Sequence, residues 1–584
     1  MKHNPKAFWS YVNSKLKSRS GVADSYNEEG ENSTSNKEKA EILSSFFSKV
    51  FTKEDLENSP TLEDRKVDRP LMNIDINQED LPTKLQNLKP HKSPGPDGLQ
   101  PRVLREISVP IAIPFRIIYK RMIQSSQLPE DFKIGEVIPI FKKGNRHYAA
   151  NYRLVSLTSV ASKVLESIFR DNIMSHMKRN NLFSKDQHSF LEGRSTITHL
   201  LEVLEEWTKT LDEGGTIDTI SMDFMKAFDT VPHQRLLRKL LAYQIQGPVH
   251  SWIQAFLLNR KQRVVVGGEK SSWTNVTSGI PQGSVLGPVL FAIFINDLPS
   301  CIQSGIKLFA DDTKLFRPVA SIEDCDNLQK DLTEAEMWAK KWQMKFHPEK
   351  CSVLRIGKNH PDYNYTMQEG QVNLNTVQQE KDLGVIIDNQ LLFSEQVQKA
   401  VAKANSMLGI IRRSFEYLDE ETMMFLYKAK VRPVVEYGNN VWSPRLVRDI
   451  EAVEAVQHRA TKLIPGLQHL EYEERLRKLG LPTLVYRRHR GDMIQVFKYM
   501  TGKYNVETDM FPPPTVNHTR GHKYKTQKQR CRLQVRQKFF SQRVVEKWNN
   551  LPESVVLAPS LNSFKARLDK HWRDEPFHYE CRGN

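Results

Sequence analysis

The sequence predicts an α+β fold, and three observations carry that reading. Short runs that alternate apolar and polar residues occur in neighbouring pairs separated by turn residues, as antiparallel hairpins require. Longer stretches with apolar residues at helical spacing lie between the pairs. From residue 393 to about 504 the spacing is mainly helical, so the strands are gathered in the middle of the chain.

Residues 4–17 read as an amphipathic helix with Phe8, Trp9, Tyr11, Val12 and Leu16 near one face. Residues 18–37 are rich in Ser, Asn, Glu and Gly and read as a flexible linker. Residues 38–51 return to helical spacing and 52–73 form a polar connector, so residues 1–80 are expected to be a leader of helices and linkers. In residues 89–99, Pro90, Pro94, Gly95, Pro96 and Gly98 build a rigid loop carrying Lys89 and Lys92. It suits either a tight connection or the presentation of positive charge to a phosphate backbone. A helical pair follows over 101–127. Residues 136–144 and 151–157 are two β-like runs that would gather Lys142, Lys143 and Arg153 on one small sheet. Such a group suits a triphosphate, although lysines in a turn also occur as a solvated hairpin tip. Helices are expected over 160–180 and 197–212, with a polar loop containing Arg194 between them.

An apolar strand then runs from Thr219 into Asp223. A carboxylate at the end of a buried strand is costly unless it is paired or metal-bound. Phe228 could face whatever Asp223 serves, and Asp229 reads as a cap for the next element. Residues 236–258 read as helical and 262–277 as a hairpin about Gly267 and Gly268. In residues 278–287, Gly279, Pro281 and Gly283 permit an irregular turn that a ligand can approach closely, and Ser284 is placed to cap the helix running to Asp297. Asp311 and Asp312 stand between two alternating runs over 307–316, which makes a hairpin with an acidic tip. Alone, an Asp pair reads as a polar turn. Adjacent carboxylates repel, so a divalent cation between them is the other reading. Residues 321–346 read as a long helix, 352–356 as a strand and 379–388 as a turn and strand. After a break at 511–514, residues 515–548 interleave Lys and Arg with Tyr524, Phe539, Phe540 and Trp548, which suits nucleic acid.

Lys plus Arg number 85 against 69 Asp plus Glu, a formal net charge of +16. That excess favours a polyanionic partner, nucleic acid first. The five cysteines lie far apart without zinc spacing, which speaks for a reducing compartment. No apolar run of about 18 residues occurs, so no membrane partner is expected. The chain also does not open on a signal-peptide core, so nucleus or cytoplasm is the expected location.

Three carboxylates arriving from separate strands can hold two divalent ions, the device of in-line phosphoryl transfer. Nucleotide addition also needs cations for the triphosphate, a surface under the templating base and a sensor for the sugar. Lys142, Lys143 and Arg153 could supply the first, residues 278–287 the second and the bulk of Phe228 the third.

The motifs that sharpen this are Ser93-Pro94-Gly95-Pro96-Asp97-Gly98, Pro139-Ile140-Phe141-Lys142-Lys143-Gly144 and Asn151-Tyr152-Arg153, then Asp223 through Pro232. Gly279-Ile280-Pro281-Gln282-Gly283-Ser284, Phe309-Ala310-Asp311-Asp312 and Lys381-Asp382-Leu383-Gly384 follow. In this order the set resembles the reverse transcriptases of non-LTR (LINE-type) retrotransposons, in the jockey-like and chicken-repeat-like group. The resemblance covers nearly the whole chain. It implies a right-hand polymerase with fingers over 81–215 and an antiparallel palm over 216–390, the reverse transcriptase domain spanning about 120–390. A helical thumb or connection over 391–510 and a helical basic C-terminal region over 511–584 would follow. The implied activity is RNA-directed DNA polymerisation, adding dNTPs to a DNA primer on an RNA template, with two Mg²⁺ ions for which Mn²⁺ can substitute.

The resemblance also implies roles. Asp223, Asp311 and Asp312 match the catalytic acids and metal ligands, assisted by the Phe224 carbonyl, with Asp311 the direct partner of Asp223 and Asp312 more peripheral. Lys142, Arg153, Phe228, Gln282 and Gly283 match nucleotide contacts. Lys350 matches a general acid for pyrophosphate, or is a solvated turn residue. Lys143, Arg194, Arg520, Lys523, Lys525, Arg530 and Arg532 are the expected nucleic-acid contacts. Leu154, Ser189, Leu191 and His347 depart from the usual Pro, Gly, Arg and Asn, and Leu191 puts the grip on template in question. Relatives of this kind carry an endonuclease ahead of the polymerase, so the chain is expected to be a truncated form that does not nick target DNA. The alternative is a catalytically inactive RNA-binding relic. An RNA-templated RNA polymerase is a third reading, against which Phe228 counts.

Overall fold

The computed structural model describes residues 8, 9, 11, 12, 14, 22–26, 32–506, 509–514 and 521–580. Two five-stranded sheets organise it. Their strands are β1 (Ile134–Phe141), β2 (Tyr152–Leu157), β3 (Ile217–Met222), β4 (Arg260–Val266), β5 (Glu269–Lys270), β6 (Thr274–Val276), β7 (Gly305–Phe309), β8 (Asp312–Pro318), β9 (Ser352–Ile356) and β10 (Asn375–Val377). The first sheet runs β2-β1-β4-β5 with β6 also on β4, and the second runs β10-β9-β3-β8-β7. The pairs are antiparallel except β1 with β4 and β9 with β10, so the α+β expectation holds.

The second sheet is covered on both faces. Ile220, Met222, Leu308, Leu315 and Val353 join a core built with helices from residues 80–341. Ile217, Phe316, Leu354 and Ile356 face a second core made by the helical C-terminal part. Strand β3 lies between β8 and β9 and is buried along nearly its whole length, although Asp218, Thr219 and Ser221 stand among its apolar residues. Asp218, fully buried in it, accepts from the Tyr365 hydroxyl at 2.8 Å, with His360 Nδ1 2.7 Å from its other oxygen.

The expected helices are present, with instructive differences. The 236–258 stretch is two helices, His233–Ala242 and Gly247–Leu257, broken where Gly247 takes φ +57 just ahead of Pro248. The 321–346 helix stops at Lys341, and Gln343 at φ +53 turns the chain so that Phe346 bridges Phe224. The hairpin β11 (Gln379–Asp382) and β12 (Val385–Asp388) turns through Leu383 and Gly384, both at positive φ, as a two-residue hairpin loop demands.

Two expectations change. Residues 1–80 were expected to be a leader, yet α1 (Asn36–Ser48) lays Ala40, Leu43 and Phe47 onto Val137, Tyr152, Leu154, Val264 and Val266 of the first sheet. Phe8 is buried and stacks on Phe415 at 6.3 Å. The rest of the helix expected over 4–17 lies largely outside the described residues. The aromatics of 515–548 were expected to serve nucleic acid, but Phe539, Phe540 and Trp548 are buried in the second core. The short helices there turn their aromatic sides inward because that is where apolar area leaves water. Most of the surrounding Lys and Arg side chains stay at the surface, with Arg536 buried.

Among the described residues the cysteines Cys301, Cys325, Cys351 and Cys531 are free, and no helix is long and apolar enough to cross a membrane.

Candidate active site

The acidic tip is built by strand pairing. In the hairpin β7–β8, Asp312 faces Phe309 in register, and Ala310 at φ +56 with Asp311 makes the two-residue turn. β8 also pairs with β3, with Thr313 opposite Met222, so the hairpin tip is set beside Asp223 at the end of β3. Asp223, Asp312, Lys143 and Lys350 line one cavity of about 400 Å³ together with Glu380, Lys381 and Asp382. The carbonyl of Asp223 accepts from His347 at 2.8 Å and that of Lys345 from Met225 at 2.8 Å, so this bridge does not consume the Phe224 carbonyl. Phe224 itself is buried and stacks on Phe346 at 4.2 Å.

The electrostatics are those of crowded carboxylates. Burial pushes the Asp311 carboxyl up and the Asp223 charge adds to it, against Lys142 and Lys350. Asp312 is pushed up to about 6, by burial first and then by Asp311, Asp382 and Asp223. Lys350, itself exposed at the end of a short turn of 3-10 helix, donates to Asp223 at 2.7 Å.

Carboxylate oxygens are the donors a hard divalent cation takes, and their mutual repulsion is what such a cation relieves, so the donor chemistry fits a cation of that kind. Among the described residues no group of three His, Cys, Asp or Glu side chains is placed to hold a metal ion, and Asp223 is held by Lys350.

The basic side of the site comes from the first sheet. Ile140 pairs with Arg153 across β1 and β2, and the Lys142 amide donates to the Asn151 carbonyl at 2.8 Å. Lys142, Lys143 and Arg153 are all exposed.

Residues 278–284 are zipped between the sheets. The Gly279 amide donates to Val231 at 2.8 Å, Ile280 to Phe228 at 2.7 Å, and Ser156 of β2 to Gln282 at 2.8 Å. Both glycines are required by contact as well as conformation. Gly279 has φ +88, and a Cβ on it would meet the Asp229 backbone at 2.6 Å. Gly283 has φ +118, and its Cβ would meet the Ser156 carbonyl at 2.6 Å. Glu166, fully buried, accepts from the Val285 amide at 2.7 Å, and the Ser284 hydroxyl accepts from the Gly287 amide at 2.9 Å; the helix there is Gly287–Phe294, shorter than expected, and its N-cap position is Leu286, not Ser284. Phe228 is partly buried and stacks on Phe291 at 4.4 Å. Asp229 is not a cap. It lies within the short helix Ala227–Thr230, and its carboxylate accepts from Gln282 Nε2 at 3.0 Å.

Sequence reading missed three supports. Gln187 and Ser189 hold the acidic turn from behind: Ala310 N donates to Ser189 Oγ at 2.8 Å and to Gln187 Oε1 at 3.2 Å. The serine that departs from the usual glycine is thus a working part of the hairpin. Lys314 on β8 pairs with Asp382 on β11, both buried. Thr52, in the supposed leader, donates its amide to the Ser278 hydroxyl at 2.7 Å and its own hydroxyl to the Thr230 carbonyl at 2.8 Å. Each joins residues far apart in sequence, so no local signal marks it.

Among the expected nucleic-acid contacts, Arg194 is corrected. Its guanidinium donates to the carbonyls of Asn505 at 2.9 Å, Lys185 at 2.6 Å and Gln187 at 2.7 Å, so it binds the protein's own loops. Lys523 lies 5.1 Å from the Tyr524 ring, and the Arg532 amide donates to Asp212 at 2.8 Å. Lys523, Arg530 and Arg532 are exposed and Lys525 half-buried. Arg520 lies outside the described residues.

Comparison with known proteins gives two findings. Residues 140–409 match the reverse transcriptase (RNA-dependent DNA polymerase) family. The probable RNA-directed DNA polymerase from transposon X-element of Drosophila melanogaster is 26% identical over 396 residues, covering 65% of this chain and 42% of that protein. The RNA-directed DNA polymerase from mobile element jockey of Drosophila funebris is 26% identical over 409 residues, covering 67% and 44%. The probable RNA-directed DNA polymerase from transposon BS of Drosophila melanogaster is 24% identical over 406 residues, again covering 67% and 44%. The chain therefore spans less than half the length of these curated relatives.

Proposed function

Because residues 140–409 of this chain belong to the reverse transcriptase family and fit its non-LTR retrotransposon branch, we propose that the chain is an RNA-directed DNA polymerase. It would extend a DNA primer with dNTPs on an RNA template. The observation that carries the reading is the cavity shared by Asp223, Asp312, Lys143 and Lys350, with Asp311 in the turn beside it.

Each side chain then has a task its position allows. Asp223, Asp311 and Asp312, with the Phe224 carbonyl, would hold two divalent cations, which lower the pKa of the attacking hydroxyl and neutralise the leaving oxygen. Both carboxyls feel the Asp223 charge, Asp311 together with Lys142 and Lys350 and Asp312 together with Asp382 and Lys314, and Asp311 would be the direct partner of Asp223 in holding the metals. Lys142 and Arg153, exposed on the first sheet, would grip the triphosphate and Lys143 the nucleic acid. Phe228, backed by Phe291, would exclude a 2′-hydroxyl by bulk. Gln282 and Gly283 would meet the nucleotide and template. Lys350 Nζ, already beside Asp223, would protonate the pyrophosphate. Lys523, Lys525, Arg530 and Arg532 would track nucleic-acid phosphates at the periphery.

The test is primer extension on an RNA template with Mg²⁺ and dNTPs. Wild type should extend, Asp311→Ala should abolish extension, and Asp312→Asn should be the milder lesion. Extension that survives Asp311→Ala refutes the assignment. RNA binding without extension by wild type identifies the inactive relic instead.

A further inference from the structure

The loop that carries Gln282 is held by its backbone on both sides of that residue's side-chain amide. Ser156 N donates to the Gln282 carbonyl at 2.8 Å, and the Gly279 and Ile280 amides donate to Val231 and Phe228 at 2.8 and 2.7 Å. The Ser278 hydroxyl donates to the Asp229 carbonyl at 2.8 Å and is itself held by Thr52 N at 2.7 Å. Against this frame the Asp229 carboxylate takes the Gln282 amide nitrogen at 3.0 Å. A carboxylate only accepts, so it admits the NH₂ end of the amide and turns the carbonyl end away. A glutamine with no such partner has two amide orientations, one offering a donor and the other an acceptor.

We propose that Asp229 is a positioning residue: it fixes the amide of Gln282 so that its oxygen, not its nitrogen, is the group offered to the incoming nucleotide. The ligand class follows, namely a hydrogen-bond donor such as a sugar hydroxyl or a base amino group. The inference rests on the polymerase reading for its ligand but not for the Asp229–Gln282 geometry. Asp229 touches no reacting atom in this scheme, and it acts through Gln282.

The experiment is single-nucleotide incorporation by the full chain, comparing Asp229→Ala, Asp229→Asn, Gln282→Ala and the double variant Asp229→Ala/Gln282→Ala. Asp229→Ala should raise the KM for dNTP on the order of tenfold, the usual worth of one charge-assisted hydrogen bond, with a smaller change in kcat. Asp229→Asn keeps an accepting oxygen and should restore most of the loss. The double variant should be no worse than Gln282→Ala, because residues that act through one group are not additive. Multiplying defects in the double variant, or Asp229→Asn as poor as Asp229→Ala, would overturn the proposal. A readout independent of turnover is hydrogen exchange of the Gln282 side-chain amide in protein labelled with ¹⁵N-glutamine, assigned by its loss in Gln282→Ala. Exchange should be slowed in wild type and Asp229→Asn and fast in Asp229→Ala. If wild type shows no extension, the polymerase reading fails while this measurement still decides the geometry; equal exchange in wild type and Asp229→Ala would sink it.

Discussion

Burial lifts the Asp229 carboxyl to about 6, while Lys226 and the Gln282 hydrogen bond pull it down. A raised acid keeps its proton in the folded state at pH values where the unfolded chain, with its ordinary 3.8, has lost it. Stability therefore falls as pH rises between those two values and is level above the higher one. Asp229→Asn removes the ionisation. It should match wild type below about pH 4 and exceed it at pH 7 by at most about 3 kcal/mol, since one pKa unit is about 1.4 kcal/mol. Urea denaturation at the two pH values measures this, and an unchanged pH slope in the variant would refute it. Ser189 gives a second prediction at this scale. Ser189→Ala leaves Ala310 N only the longer bond to Gln187 and should cost about 1 kcal/mol. Incorporation should slow severalfold with RNA binding unchanged, as rapid-quench kinetics would show. Asp223, Asp311 and Asp312 were legible in the sequence because a strand end and a hairpin tip are local patterns. Ser189 was not, because its partner Ala310 lies in another element and nothing near 189 announces it.

Pairing of elements carries the next prediction. Lys314 and Asp382 tie strand β8, which begins with Asp312, to the β11–β12 hairpin that lines the acidic cavity. Their mutual attraction raises the Lys314 ammonium and lowers the Asp382 carboxyl against burial. The Trp207 ring lies 5.2 Å from the ammonium. Lys314→Met strands a buried carboxylate and should cost roughly 3–5 kcal/mol, whereas Lys314→Met/Asp382→Leu should recover most of that. Denaturant midpoints of the two variants decide it, and a double variant as unstable as the single one would exclude the pairing argument. The hairpin itself could be read from its residues, because Leu383 and Gly384 sit at a two-residue turn between alternating runs. The partner of Asp382 could not, since Lys314 reaches it only once β8 has paired with β3. The long helix expected over 321–346 shows the same limit. Its apolar spacing continues past Lys341, but the Phe346 bridge to Phe224 takes the last residues beside the end of strand β3.

At the scale of the molecule, the helical C-terminal part is one core with the back of the second sheet. Phe540, Trp548, Phe564 and Leu568 share it with Leu200, Trp207, Tyr427 and Ile217. Arg536 reaches Glu205 at 2.5 Å inside that contact. Ending the chain after residue 510 would expose this apolar surface and leave Glu205 unpaired. We expect a lowered Tm and rapid proteolysis of residues 391–510, measured by thermal melting and limited digestion; a truncated chain as stable as the full one would show two separate units instead. The sequence by itself determined the class of fold, the order of its helices and hairpins, and the places of Asp223 at a strand end and Asp311 and Asp312 at a hairpin tip, because periodicity and turn chemistry act over a few residues. Only the tertiary structure decided the fate of groups whose partners come from elsewhere. Arg194 was drawn into its own loops, the C-terminal aromatics into a core, the leader helix onto the first sheet, and Gln282 onto Asp229. A buried donor, acceptor or apolar ring must find its match wherever the folded chain brings one, and that choice is written in no single stretch of sequence.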